Sequence, residues 1–194
     1  MITGFFSSAE PLKIAINVWP GYECIMLAKH LGFYKEENLD IRIIQFETLA
    51  HSQRAFERRQ IDIMPSTIAE LLAANDHGIV SGKIISVIDY SKGGDVILTR
   101  ASIRKVSDLK NKTIAIEQGV TIGLYVLVRG LEQHGLNIGD LNLLAVPQNE
   151  MLEKVSNNKV DGVITYVPFS HHILATKTFD YHTLFSSKAI MKEA

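Results

Sequence analysis

The sequence predicts an α/β chain built as two similar lobes around a cleft. Three observations point there. The order strand, helix, strand, helix, strand runs through both halves. Matching residues recur at a fixed offset, since Ile14 and Ile114 lie 100 positions apart, Asp40 and Asp140 lie 100 apart, and Asp62 and Asp161 lie 99 apart. Between the halves stands the glycine-paired segment SKGGD, a natural hinge.

In the first half, residues 14–17 (IAIN) form a short apolar run that ends in the turn WPGY. An amphipathic helix follows, with Cys24, Leu27, Ala28 and Leu31 on one face, and Gly32 ends it. Residues 41–46 alternate as a strand, 52–59 read as a polar helix, and 61–64 as a second apolar strand. Thr67 and Glu70 have the spacing of a capping box that opens a helix over 68–74. In the second half, 113–117 (TIAIE) is a strand, Gly119 lies in the turn, 121–134 is a helix closed by Gly135, 141–146 a strand, 149–155 a helix and 162–165 a strand. Met151, Leu152 and Val155 read as core. Parallel strands need crossover helices, so each lobe is expected to be a small sheet covered on both faces. The boundaries expected are 12–97 for lobe 1, with a return segment at 181–194, and 98–180 for lobe 2.

Composition narrows the functions. The 194 residues are 46% hydrophobic and 21% charged, enough to build a core and too ordered a mix for wholesale disorder. Lys plus Arg (20) nearly balance Asp plus Glu (21), and no basic stripe stands out, which argues against a nucleic-acid partner. One cysteine, Cys24, excludes an internal disulfide framework and a zinc site of several thiolates, and it reads as a buried small apolar residue. The uncharged stretch 162–176 carries Pro168, His171 and His172, too short and polar to cross a bilayer, so no direct membrane insertion is expected. Residues 1–11 read either as what remains of a secretory signal, with its basic start missing, or as an ordinary frayed end.

In open α/β sheets, ligands bind at the carboxyl ends of strands, where helix N-termini present free amides. Four junctions qualify. The first holds Trp19, Gly21 and Tyr22, with the indole placed either to cover a small molecule or to pack under Pro20. The second holds Ser66 and Thr67, the latter a ligand contact or simply a cap. The third is the hinge loop, with Ser91, Gly94 and Asp95. The fourth is the strand-to-helix turn of Glu117, Gly119 and Thr121, and Tyr166 comes from the second lobe's last strand. The four turns contain neither the dinucleotide-binding glycine pattern nor a Walker lysine, and the chain has no G-x-S-x-G elbow and no H-E-x-x-H. Adjacent histidines such as His171 and His172 diverge, and His30, His51, His77, His134 and His182 are scattered over surface and loops, so neither a metal nor any other cofactor is expected, nor catalytic residues.

With these residues in place, a family resemblance follows. The stretches NVWPGYECIMLAKHLGFYKEENLDIRIIQF, RRQIDIMPST, VSDLKNKTIAIEQGVTIGLYVL and NNKVDGVITYVPF resemble the solute-binding proteins of nitrate, sulfonate, taurine and thiamine-precursor ABC importers. The resemblance spans 12–185 and rests on the order of the motifs. It implies a type II periplasmic-binding fold, a small organic solute captured by lobe closure, a membrane permease as partner, and a periplasmic or extracytoplasmic location. It also implies a C-terminally shortened chain, because members run on with helices that return to the first lobe. Pro168 is expected to stiffen a second crossing between lobes. The junctions carry no arginine, while Asp89, Asp95 and Glu117 are acidic. A helix end is worth about 0.3–1 kcal/mol to an anion, rising to ~2 kcal/mol when partly buried, and these carboxylates oppose it. A solute with amine or ring N–H donors, a zwitterionic sulfonate or a pyrimidine, therefore fits better than nitrate. The rival expectations are a sensor module and a dehydratase-type enzyme on the same lobes.

Overall fold

The computed structural model describes residues 10–76, 78, 82–176 and 179–190. The proposed signal remnant in 1–9, His77 and the end of the return segment, 191–194, lie outside the described residues.

The first lobe is built on two parallel strands, β1 (Leu12–Ile16) and β2 (Ile41–Gln45), with Ile14 opposite Ile43. Between them run a single 3-10 turn, Pro20–Tyr22, then α1 (Glu23–Leu31) and α2 (Phe33–Glu36). Gly32 closes α1 with φ +84°, a left-handed conformation that glycine adopts without steric cost. The helix α3 (Leu49–Glu57) is capped by the Thr48 hydroxyl, which accepts from the His51 amide at 3.3 Å. The expected strand at 61–64 is reduced to one bridge, Ile14 to Ile63. Asp62 explains this, because its carboxylate takes the Lys13 amide at 2.8 Å, and Pro65 has no N–H to extend the ladder. The helix α4 (Ile68–Asp76) follows.

The second lobe carries five strands, β3 (Asp95–Arg100), β4 (Thr113–Glu117), β5 (Asn142–Val146), β6 (Gly162–Tyr166) and β7 (Tyr181–Ser186), in the order β5-β4-β6-β3-β7. β4 runs parallel to β5 and β6, whereas β3 is antiparallel to β6 and β7. Helices α5 (Thr121–Glu132), α6 (Met151–Ser156) and α7 (Phe169–Ala175) cover it. Strand alternation sorts the core by face. Ile97, Ile114 and Ile164 pack with Val126, Leu127 and Leu131 of α5, while Val96, Leu98, Ala115 and Val163 pack with Met151, Val155 and Ile173. Both faces of this sheet are closed.

Several expectations are corrected. The return segment, expected with lobe 1, supplies β7 to the second lobe's sheet through its residues 181–186, and β3 lies wholly in that sheet although the expected boundary falls at 97. Pro168 stands between β6 and α7 inside the second lobe, not at a crossing between lobes. No residue of α1 is buried: Leu27 is 55% and Leu31 50% exposed, and Cys24 is exposed. Apolar residues lie on more than one side of the helix, and Ile25 and Met26 supply its contact with the sheet instead. Leu152 is exposed, although Met151 and Val155 beside it are fully buried. His171 lines a cavity of about 330 Å3 beside the hinge with Lys92, Gly93 and Lys188.

Candidate ligand-binding site

The carboxyl end of β1 delivers Asn17 and then Trp19. The indole N–H donates to the Asp89 carboxylate at 2.7 Å, so the tryptophan is held by the hinge segment rather than packed only under Pro20. Two glycines permit this arrangement. A Cβ at Gly21 would stand 2.2 Å from Asp89 Oδ2, and one at Gly94 would stand 2.6 Å from the Trp19 ring. Gly21 thus leaves room for the Asp89 carboxylate, and Gly94 for the indole itself. Across the cleft the Tyr166 ring lies 6.1 Å from Trp19, and Phe169 meets Tyr166 edge-on at 5.4 Å. These separations fall in the range where aromatic pairs attract.

Around this wall the chain gathers carboxylates. Asp95, 6% exposed, has its pKa raised, chiefly by burial and also by the charge of Glu70, while the Ser91 hydroxyl that donates to it pulls the other way. Glu117, also 6% exposed, is pushed up to about 7 by burial; the nearby Tyr166 hydroxyl lowers it and the Glu70 charge raises it. Tyr166 nevertheless lacks hydrogen-bond geometry toward it. Its hydroxyl and both Glu117 oxygens have no partner among the described residues, and neither has the Asn17 carbonyl oxygen. Tyr22, buried, has its phenol raised by burial and then by Glu70, Asp89 and Asp95. Burial, followed by Glu117, raises Tyr166 in the same direction. Buried polar groups without partners are costly, which sets this cluster apart from the satisfied core around it.

The capping box expected at Thr67 is not formed as such. The Thr67 hydroxyl donates to Glu70, and the other Glu70 oxygen accepts the backbone N–H groups of Thr121 and Ile122 at 2.7 and 2.8 Å. Thr121 therefore enters the site through its amide. Ser91 joins through Asp95 and stands 3.5 Å from Ser187. Two expected residues stay outside the cluster. Ser66 is exposed, and Gly119, φ +76° and exposed, faces Ala50 and the Arg54 guanidinium instead. The turn 117–121 lines a second cavity of about 330 Å3 with Gln53, Ala73 and Leu124.

Sequence reasoning missed Glu70, Arg54 and Gln148. The Gln148 amide donates to Thr165 at 2.7 Å, and its buried oxygen is unpartnered. Gln148 lies two residues past β5, so the rule that ligands sit at strand carboxyl ends would have found it. Among the described residues no three His, Cys, Asp or Glu side chains are placed to hold a metal ion, and no helix is long and apolar enough to cross a membrane.

This pair of α/β lobes has the type II periplasmic-binding fold. The solved aliphatic sulphonate binding protein SsuA of Escherichia coli matches 95% of this chain and 63% of its own, with a TM-score of 0.72 and 21% identity. The nitrate-binding protein NrtA of Synechocystis PCC 6803 matches 93% of this chain and 52% of its own, with a TM-score of 0.70 and 13% identity. The chain belongs to the family described as NMT1/THI5 like, which matches residues 19–191. A Haemophilus influenzae protein whose name points to thiamine biosynthesis is 25% identical over 158 residues, 80% of this chain and 49% of that protein. The chain thus spans about half the length of the curated relative it matches.

Proposed function

We propose that this chain is the solute-binding component of an ABC importer for a small organic solute, working outside the cytoplasm with a membrane permease. The observation that carries the reading is the Trp19–Tyr166 wall beside the unpartnered Glu117 carboxylate, assembled from both lobes. A solute touching both lobes binds only their closed arrangement, so it shifts the population toward closure. The residues assigned to contact it are Trp19, Tyr22, Asp95, Glu117 and Tyr166, with Gly21, Gly94, Ser91, Thr67 and Thr121 setting their positions. Ser66 and Gly119 are assigned to the rim. Among sulfonate or taurine-like, nitrate-like and pyrimidine solutes, the acidic wall favours those carrying N–H donors.

The fold and the family membership support a binding role. A thermal-shift panel of taurine, alkanesulfonates, nitrate, polyamines and pyrimidines tests it. Ligand at a hundred times its dissociation constant adds about 2.7 kcal/mol of stability. At least one panel member should raise the melting temperature; no shift from any of them would overturn the reading. The Glu117 carboxyl, at about 7, is also poised for proton transfer, which is the one observation favouring a dehydratase. Turnover of a bound panel member, followed by mass spectrometry, would replace the binding reading with that one.

A further inference from the structure

The first amides of a helix have no partner within it. On α5 the residue before the helix, Val120, offers no side-chain cap. The free amides of Thr121 and Ile122 are instead taken by Glu70, which reaches over from α4 of the first lobe. Glu70 is 2% exposed, so this carboxylate has left water for the positive end of a helix dipole and the Thr67 hydroxyl. At the same junction a second observation points to a ligand. Glu117, four residues before Thr121, is 6% exposed with both oxygens unpartnered. The α5 amides are therefore filled by the chain itself, and the buried groups left without a partner beside them are the two Glu117 oxygens and the Tyr166 hydroxyl, with the Arg54 guanidinium on the far side of the turn at Gly119.

We infer that Glu70 is the residue that sets the charge preference of the cleft: its carboxylate occupies the α5 amides, excludes anionic solutes and reserves Glu117 and Asp95 for a solute that brings N–H donors. The inference rests on the binding-protein reading above and names its solute class. An incoming sulfonate or nitrate would have to displace Glu70 and then share the cleft with the displaced charge. A neutral or cationic ring amine meets no such opposition, and the Trp19 and Tyr166 rings flank it.

Calorimetric titration of the wild type, Glu70→Ala and Glu70→Gln with methanesulfonate, nitrate and 4-aminopyrimidine tests the inference. The wild type should take the aminopyrimidine in preference to either anion. Glu70→Ala should bind at least one of the anions about tenfold or more tightly than the wild type, the scale of one partly buried helix N-terminus. Glu70→Gln, which keeps the size and an acceptor oxygen, should gain in the same direction by less, and it serves if the alanine variant does not fold. Hydrogen exchange at the Thr121 and Ile122 amides should quicken in Glu70→Ala and slow again when the anion is added. Anion affinity equal in the wild type and both variants would overturn the inference, as would unchanged exchange at those amides. Neither readout needs the natural solute, so failure here is separable from an empty thermal-shift panel.

Discussion

Replacing Glu117 by glutamine isolates the electrostatic cost of the cleft. In the folded chain its carboxyl ionises at about 7 against an ordinary 4.5, because burial disfavours the charged form. That difference corresponds to roughly 3 kcal/mol of preference for the neutral group. Between these two values the folded state holds a proton that the unfolded chain has already released. Stability contributed by this group is therefore full below 4.5, falls as the pH rises, and is gone above 7. Asp95, also raised by burial, adds a slope of the same sign. Glutamine is neutral throughout, so Glu117→Gln removes the Glu117 part. Urea unfolding of both proteins from below 4.5 to above 7 should show the variant gaining on the wild type by up to roughly 3 kcal/mol across that window. Parallel stability curves would refute the buried, unpartnered state of Glu117.

Four further outcomes follow from the packing. Trp19→Ala should weaken solute binding by about 1 kcal/mol or more in calorimetry, since one flanking ring is lost; unchanged affinity would remove the indole from the site. Gly94→Ala should destabilise the fold by about 1–3 kcal/mol and shift the tryptophan fluorescence, because its Cβ would press on the ring at 2.6 Å. Leu127→Ala, at a fully buried position, should cost about 2–5 kcal/mol in urea unfolding. By contrast Leu27→Ala, 55% exposed, should stay within about 0.5 kcal/mol, and a large loss there would contradict the exposed face of α1.

What could be read in the sequence was what local rules govern. β4 and the start of α5 follow from an apolar run, a glycine turn and a helical period, and they fall at 113–117 and 121 as the pattern predicts. The same rules place α1 but misread its buried face, because its apolar residues are spread too widely for Glu23, Lys29 and His30 to decide between the stripe through Cys24, Leu27 and Leu31 and the one through Ile25 and Met26. At 61–64 a side chain competed with the ladder: Asp62 took the Lys13 amide, an outcome decided by a contact 49 residues away. Glu70 is the instructive case. At three residues past Thr67 its local role as a cap is sufficient, and only the tertiary approach of α5 reveals two stronger donors. Trp19, Tyr22, Asp95, Glu117 and Tyr166 could be picked out as candidates because they lie at or near strand ends, and the structure brings them into one cluster. The glycines were legible as special positions, but their service to Trp19 and Asp89 required coordinates.

The central claim is that one solute is held by both lobes at once. Hydrogen exchange, compared with and without the tightest-binding member of the thermal-shift panel, tests it most directly. The account predicts slowed exchange in 19–22 of the first lobe together with 117–122 and 165–167 of the second. Protection confined to one lobe, or to surfaces away from these segments, would contradict it.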